Sequence, residues 1–273
     1  MKLLALVSLL AVSLVSAEPP RPDTKHPSYI VGGQDVGPQY PFVGEVWIQD
    51  PETEGWSVCT GSLIHRRWLL TAAHCYIEDA EAEHMFVCMR PDGCTEDWHY
   101  QGISDFEIRP NYGSADEEGR ITLWDSQYDQ MLLRFRRNQS GIRTVPISTT
   151  TEGIAFAGVQ VGWGYSKWEP DMDREDFEIP DKLQALPVLV RRESGLDLLN
   201  LLDPIRIIFD YYDSYTAPGD SGGPLLMWTL KGWTLVGVLS TGNAEDGYAM
   251  NSAITGETLD WIDETLDDYG DRR

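Results

Sequence analysis

From Ile30 onward the chain is a succession of short apolar or alternating runs separated by clusters of Gly, Asp, Asn and Pro. Phe42–Ile48, Trp68–Leu70, Met131–Phe135, Val159–Val161 and Trp233–Leu239 each have the length and composition of a strand. Few stretches carry the 3.6-residue period of an amphipathic helix. The exception is the C-terminus, where Leu259, Ile262, Leu266 and Tyr269 fall near one helical face while Asp260, Asp263, Glu264, Asp267 and Asp268 take the others. The pattern predicts an all-β barrel or sandwich closed by an amphipathic helix over about 256–269. No internal repeat and no long linker interrupts it.

The N-terminus departs from this pattern. Lys2 precedes an apolar stretch from Leu3 to Val15, followed by the small residues Ser16 and Ala17. The stretch is too short to span a bilayer and reads as a secretory signal peptide over residues 1–17. Residues 18–29 hold Pro19, Pro20, Pro22 and Pro27, a composition that suits an extended leader. No second apolar run approaches spanning length, so the expected product is a soluble, secreted, extracellular protein without a membrane anchor.

Composition narrows the choice of partner. The 273 residues include 21 Lys and Arg against 44 Asp and Glu, a formal charge of −23. Nucleic acid and anionic lipid would both be repelled. An apolar fraction of 42% is ample for a sizeable core. The cysteines are Cys59, Cys75, Cys88 and Cys94. Sequence alone does not choose among their pairings, but local closure favours Cys59–Cys75 and Cys88–Cys94. His84, Cys88, Cys94 and His99 also form the donor set of a structural zinc site, at unusual spacing. The export signal favours disulfides, and no metal or cofactor is implied. Glu78, Asp79, Glu81 and Glu83 read as a solvated acidic face. Asn138-Gln139-Ser140 is a glycosylation sequon, with Asn138 the acceptor.

Three segments carry chemistry: Thr71-Ala72-Ala73-His74-Cys75, Asp129-Gln130-Met131-Leu132-Leu133 and Gly219-Asp220-Ser221-Gly222-Gly223-Pro224. Amide hydrolysis near neutrality needs a nucleophile that loses its proton as it attacks, hence a serine with a histidine base. A carboxylate must hold that imidazole in the right tautomer. Glycines around the serine allow a tight turn that aims N–H groups at a developing oxyanion. Asp125 is a rival for Asp129, but lacks the apolar run that follows it.

These motifs, with Ile30-Val31-Gly32-Gly33, Gly162-Trp163-Gly164 and Leu239-Ser240-Thr241-Gly242, resemble the trypsin/chymotrypsin-type serine proteases from Ile30 to the C-terminal helix. The order His, Asp, Ser is that of this family. The resemblance implies two six-stranded antiparallel Greek-key barrels of the chymotrypsin type, about 30–145 and 146–255, within a peptidase domain over 30–273. It implies Ser221 as nucleophile, His74 as base and then acid, Asp129 as orienting carboxylate, and the N–H groups of Gly219 and Ser221 as oxyanion hole. Protein or peptide substrates would be cut by a monomeric endopeptidase. The alternative is a catalytically silent family member that acts as a binding or inhibitory protein.

In the family, cleavage before the first motif frees an amino group that pairs with the Asp before the nucleophile; here these are Ile30 and Asp220. Tyr29 precedes Ile30, so an activating protease of aromatic preference, or the enzyme itself, is expected in place of a tryptic activator. The residue at the base of the specificity pocket is Tyr215, where tryptic members carry Asp. Ser240, Thr241 and Gly242 are expected along one wall and Gly247 near the other. Ala217 stands where the family usually has a pocket-bridging cysteine. The expectation is a non-tryptic preference for small or moderately apolar side chains.

Overall fold

A computed structural model describes residues 33–90, 92–96, 99–113, 127–149, 156–165, 182–191, 205–208, 216–243 and 248–271. The short β1 (Gln34–Asp35) precedes a closed antiparallel barrel of β2 (Val43–Gln49), β3 (Trp56–His65), β4 (Trp68–Thr71), β5 (Met85–Cys88), β6 (Tyr100–Ile108) and β7 (Met131–Phe135). Its order around the circle is β2-β3-β4-β7-β6-β5. The second half comprises β8 (Phe156–Gly162), β9 (Gln184–Arg191), β10 (Ile205–Ile208), β11 (Pro224–Thr229), β12 (Gly232–Asn243) and β13 (Tyr248–Ala253). Its pairings also run full circle, β8-β9-β10-β13-β12-β11 and back to β8, with β1 added on β9. Both halves therefore share one strand order, and each closure leaves no long free edge.

Closure follows from the sequence pattern. In β7, Met131, Leu132, Leu133 and Phe135 are all fully buried, because the strand has the barrel interior on one side and packed protein on the other. The principal core cluster contains residues of both halves, Val46, Leu69 and Leu133 from the first and Val161, Leu226 and Leu235 from the second. Helix α1 (Gly256–Asp268) follows β13, and its N-cap Thr255 accepts the Thr258 N–H. Ile262 and Leu266 of α1 join the same core.

Cys59 bonds to Cys75 and Cys88 to Cys94, as local closure predicts. The zinc alternative is thereby overturned, since both of its thiolates are consumed in one disulfide. Glu78, Asp79, Glu81 and Glu83 are exposed, as expected of a solvated face.

Candidate active site

His74 lies in a single 3-10 turn, Ala73–Cys75, that begins where β4 leaves the barrel. Neighbouring Cys75 is buried and bonded to Cys59 of β3, which fixes the turn against the barrel. The His74 side chain is about one-third exposed. Asp129 stands two residues before β7 and is only 2% exposed. Its Oδ1 accepts the His74 backbone N–H at 2.8 Å and its Oδ2 lies 2.6 Å from His74 Nδ1. A carboxylate at Nδ1 places the proton there and leaves Nε2 as a lone-pair acceptor. Ser240 donates its hydroxyl to the same Oδ2 at 2.5 Å. It can do so because the β12–β13 register slips between Leu239 and Thr241, a bulge that re-aims the side chain.

The segment carrying Asp129 is clamped by Arg109, a cation only 5% exposed. Its guanidinium donates to the Gln127 carbonyl at 3.0 Å and Gln130 Oε1 at 2.9 Å, and sits 5.0 Å over the Tyr128 ring. Gln130 Nε2 donates onward to the Ala253 carbonyl, and Ser252 donates its hydroxyl to the Gln127 carbonyl. Gln127, Tyr128 and Gln130 around Asp129 are thus held, from both halves of the molecule.

The Ser221 turn packs flush against the His74 segment. A Cβ on Gly222 would lie 2.1 Å from Thr71 Oγ1 and 2.2 Å from the Thr60 carbonyl, so only glycine allows this approach. The Ser221 carbonyl accepts the Thr60 N–H at 2.7 Å and lies 4.0 Å from Cys75 Sγ. Thr60 Oγ1 donates to the Gly219 carbonyl and accepts the Trp163 N–H, which joins the Ser221 turn to the Gly162-Trp163-Gly164 segment. Within the turn the amides of Asp220, Gly222 and Gly223 donate to Ala217, Leu239 and Asp220 carbonyls respectively. Those of Gly219 and Ser221 donate to no acceptor among the described residues.

Asp220 is fully buried. Its carboxylate accepts N–H groups from Gly164 at 2.7 Å and Ala217 at 2.9 Å. Glycines at 162 and 164 are required because a Cβ at either would run into that carboxylate. Burial pushes Asp220 up to about 7 against the pull of the two amides. No cation among the described residues pairs with it.

The trypsin family model matches residues 30–262. The chain belongs to the trypsin family. Curated relatives that it resembles are the human protein named transmembrane protease serine 5 (29% identical, over 88% of this chain and 52% of that one) and mouse serine protease 28 (28%, over 79% and 81%). Mouse vitamin K-dependent protein C is 29% identical over 78% of this chain and 47% of its own length. The chain thus spans about half the length of the first and third of these, and its relatives support a serine-type peptidase function.

The structure brings His74, Asp129 and Ser240 into one hydrogen-bonded row and sets the Ser221 turn beside it. Thr241 and Gly242 are exposed on β12, opposite Met250 and Ala249 of β13. Ile30, Tyr215 and Gly247 lie outside the described residues, as do Asp125 and Tyr29. Asn138 is exposed in the loop after β7. Among the described residues no group of three His, Cys, Asp or Glu side chains is arranged to hold a metal, and no helix is long and apolar enough to cross a membrane. Sequence reasoning missed Thr60, Arg109 and Gln130. Thr60 follows a motif cysteine, but nothing local marks a threonine whose hydroxyl bridges to residues 103 and 159 positions away.

Proposed function

We propose that the protein is a secreted serine endopeptidase that works through Ser221, His74 and Asp129. The supporting observation is the His74–Asp129–Ser240 row beside a serine turn with two vacant amide donors. Ser221 Oγ attacks the substrate carbonyl carbon while His74 Nε2 takes its proton. Negative charge on the carbonyl oxygen is met by the Gly219 and Ser221 N–H groups. The C–N bond then breaks as His74 returns the proton to the leaving amine, and an acyl group remains on Ser221. Water, deprotonated by the same Nε2, cleaves the ester and restores the enzyme. Asp129, buried against the ring, orients the imidazole and stabilises the imidazolium in both halves of the cycle.

Activation rests on Asp220. Removal of residues 1–17 on export and 18–29 by cleavage after Tyr29 would give Ile30 a free amino group, and a buried carboxylate lacking a cation is the partner it would seek. Asp220 and the vacant Gly219 amide are adjacent in the chain, so pairing would order the oxyanion site. Neutral Tyr215 supports a non-tryptic preference, for small or moderately apolar side chains. Asn138, exposed and within a sequon, is the glycosylation site of a protein made in the secretory pathway.

The test is a peptide-library cleavage profile on protein whose terminus is verified as Ile30, with Ser221→Ala and His74→Ala as controls. Cleavage lost in both variants, together with covalent capture of Ser221 by an organophosphonate, is the expected result. A clean preference for Arg would refute the specificity. Failure of Ser221 to react with the probe would favour a silent binding or inhibitory protein, for which Ala217 in place of a bridging cysteine is the supporting feature.

A further inference from the structure

The outer face of the first barrel carries a second feature, away from the serine turn. Trp47 of β2, Trp56 of β3, Phe86 of β5 and Tyr100 of β6 line an open cavity of about 410 Å³. The rings meet at steep angles: Trp47 and Tyr100 at 83° and 6.1 Å, Trp47 and Trp56 at 71° and 6.0 Å, Trp56 and Phe86 at 57° and 5.9 Å. None of the four belongs to a core cluster, and Trp56 is 49% exposed. Four aromatic faces on the solvent side of a barrel exceed what strand pairing needs.

The connection from β2 to β3, next to Trp56, carries charge of one sign. That hairpin carries Asp50, Glu52 and Glu54 immediately before Trp56. Glu52 and Glu54 are exposed and form no ion pair among the described residues. Asp50 accepts from the Glu52 and Thr53 amides and the Thr53 hydroxyl, so its carboxylate is fixed in place. The span from Gly33 to Gly113 holds arginines but no lysine, and the guanidinium beside the far wall, that of Arg136, packs on Gly102 opposite Phe86 and donates to the Ile103 carbonyl. Aromatic walls next to an acidic hairpin are complementary to a cation carried on an apolar stem, because ring faces attract the charge and ring edges cover the stem.

We propose that this cavity is a docking site for an arginine or lysine side chain of a protein substrate, separate from the site of cleavage. Trp56 lies four residues along β3 from Thr60, about 13 Å of strand, and Thr60 is hydrogen-bonded to the Ser221 carbonyl. The same substrate could therefore occupy both places. The word substrate rests on the protease reading; the docking itself does not, and is measured on protein that cannot cleave.

The experiment titrates Ser221→Ala protein with extended decapeptides that differ at one central position, arginine, its neutral isostere citrulline, or norleucine, following tryptophan fluorescence and heat. Arginine peptide should bind about tenfold more tightly than either neutral peptide, the effect of a partly desolvated cation–π contact. Trp56→Ala, at an exposed position, should abolish that difference with its melting temperature and its hydrolysis of a small ester, in the Ser221 background, unchanged. The paired change Glu52→Gln and Glu54→Gln should weaken the arginine peptide several-fold at low salt and little at high salt. Equal affinity for arginine and citrulline, or full binding by Trp56→Ala, would overturn the proposal. No binding of arginine peptide at millimolar concentration would do so too. A protein that binds arginine peptide but never hydrolyses any substrate would retain the docking site and lose only the protease reading.

Discussion

Asp129, Asp220 and Glu45 are all buried carboxyls, and their neighbours give them different tasks. Asp129 has the His74 ring, the His74 amide and the Ser240 hydroxyl around it. Its position depends in turn on Arg109. Arg109→Ala would leave Gln130 Oε1 without its donor and the Gln127 carbonyl with the Ser252 hydroxyl alone, and Asp129 less firmly placed. The expected result is a fall in kcat of about 10- to 100-fold, as for small misplacements of a reacting group, with KM little changed and partial recovery in Arg109→Lys. An equal loss in a variant of exposed Arg136 would mean that the effect is not specific to the clamp. Glu45 sits on β2 opposite Thr60 and Cys88 and is 5% exposed. Burial raises it from 4.5 to about 7, and the Trp47 indole N–H beside it opposes this without making a hydrogen bond of full geometry. Between those values the folded protein holds a proton that the unfolded chain has released. Stability therefore falls as pH rises through that window, by on the order of 3 kcal/mol. Glu45→Gln should shrink this slope in urea unfolding and raise stability at pH 8; an unchanged slope would show that Glu45 keeps its charge.

At the scale of elements, each chemical group sits where a strand ends or is distorted. His74 follows β4, Asp129 precedes β7, Ser240 occupies a bulge in β12 and Ser221 lies just before β11. The Cys59–Cys75 bond ties the His74 turn to β3, closing a span of 16 residues against 6 for Cys88–Cys94. Replacing both members of the first pair by alanine should cost about 3 kcal/mol and lower kcat. The second pair should cost about 2 kcal/mol and leave kcat alone. Thermal unfolding and initial rates on both variants test this; equal activity in the two would separate the disulfide from His74 placement. The same arrangement decides what was legible beforehand. Met131–Phe135 announces β7 because it is buried on both faces, and the glycine motifs are conspicuous because packing at Gly162, Gly164 and Gly222 excludes any side chain. Trp56–His65 gave no such sign. It runs from exposed aromatic to buried core along one strand, so neither alternation nor an apolar run spans it. Thr60 and Arg109 act through partners distant in sequence, and a linear pattern does not contain those contacts.

For the molecule as a whole, the residues after α1 add a polar fastening to the apolar core that the two halves share. Beyond α1, Asp271 reaches back across the first barrel, accepting from Arg134 Nε at 2.8 Å, Trp68 Nε1 at 3.1 Å and Arg67 at 3.4 Å. The Arg134 guanidinium lies over the Trp68 and Tyr269 rings, at 5.9 and 5.0 Å, and Tyr269 donates to Glu107. Burial works against charge on Asp271, but hydrogen bonds from Arg134 and Trp68 outweigh it and hold the carboxyl below its ordinary value. A carboxyl lowered on folding contributes stability above its unfolded value, and that contribution disappears as pH falls through the folded value. Asp271→Asn should therefore destabilise by about 2 kcal/mol at pH 7 and approach the unaltered protein at pH 3. Because the contacts cross between halves, the variant should also broaden the unfolding transition as the halves lose cooperativity. A variant that melts in one sharp step, at an unchanged midpoint, would place the coupling in the shared apolar core alone. That core includes Ile262 and Leu266 of α1, so the contrasting change Leu266→Ala should lower the midpoint at every pH.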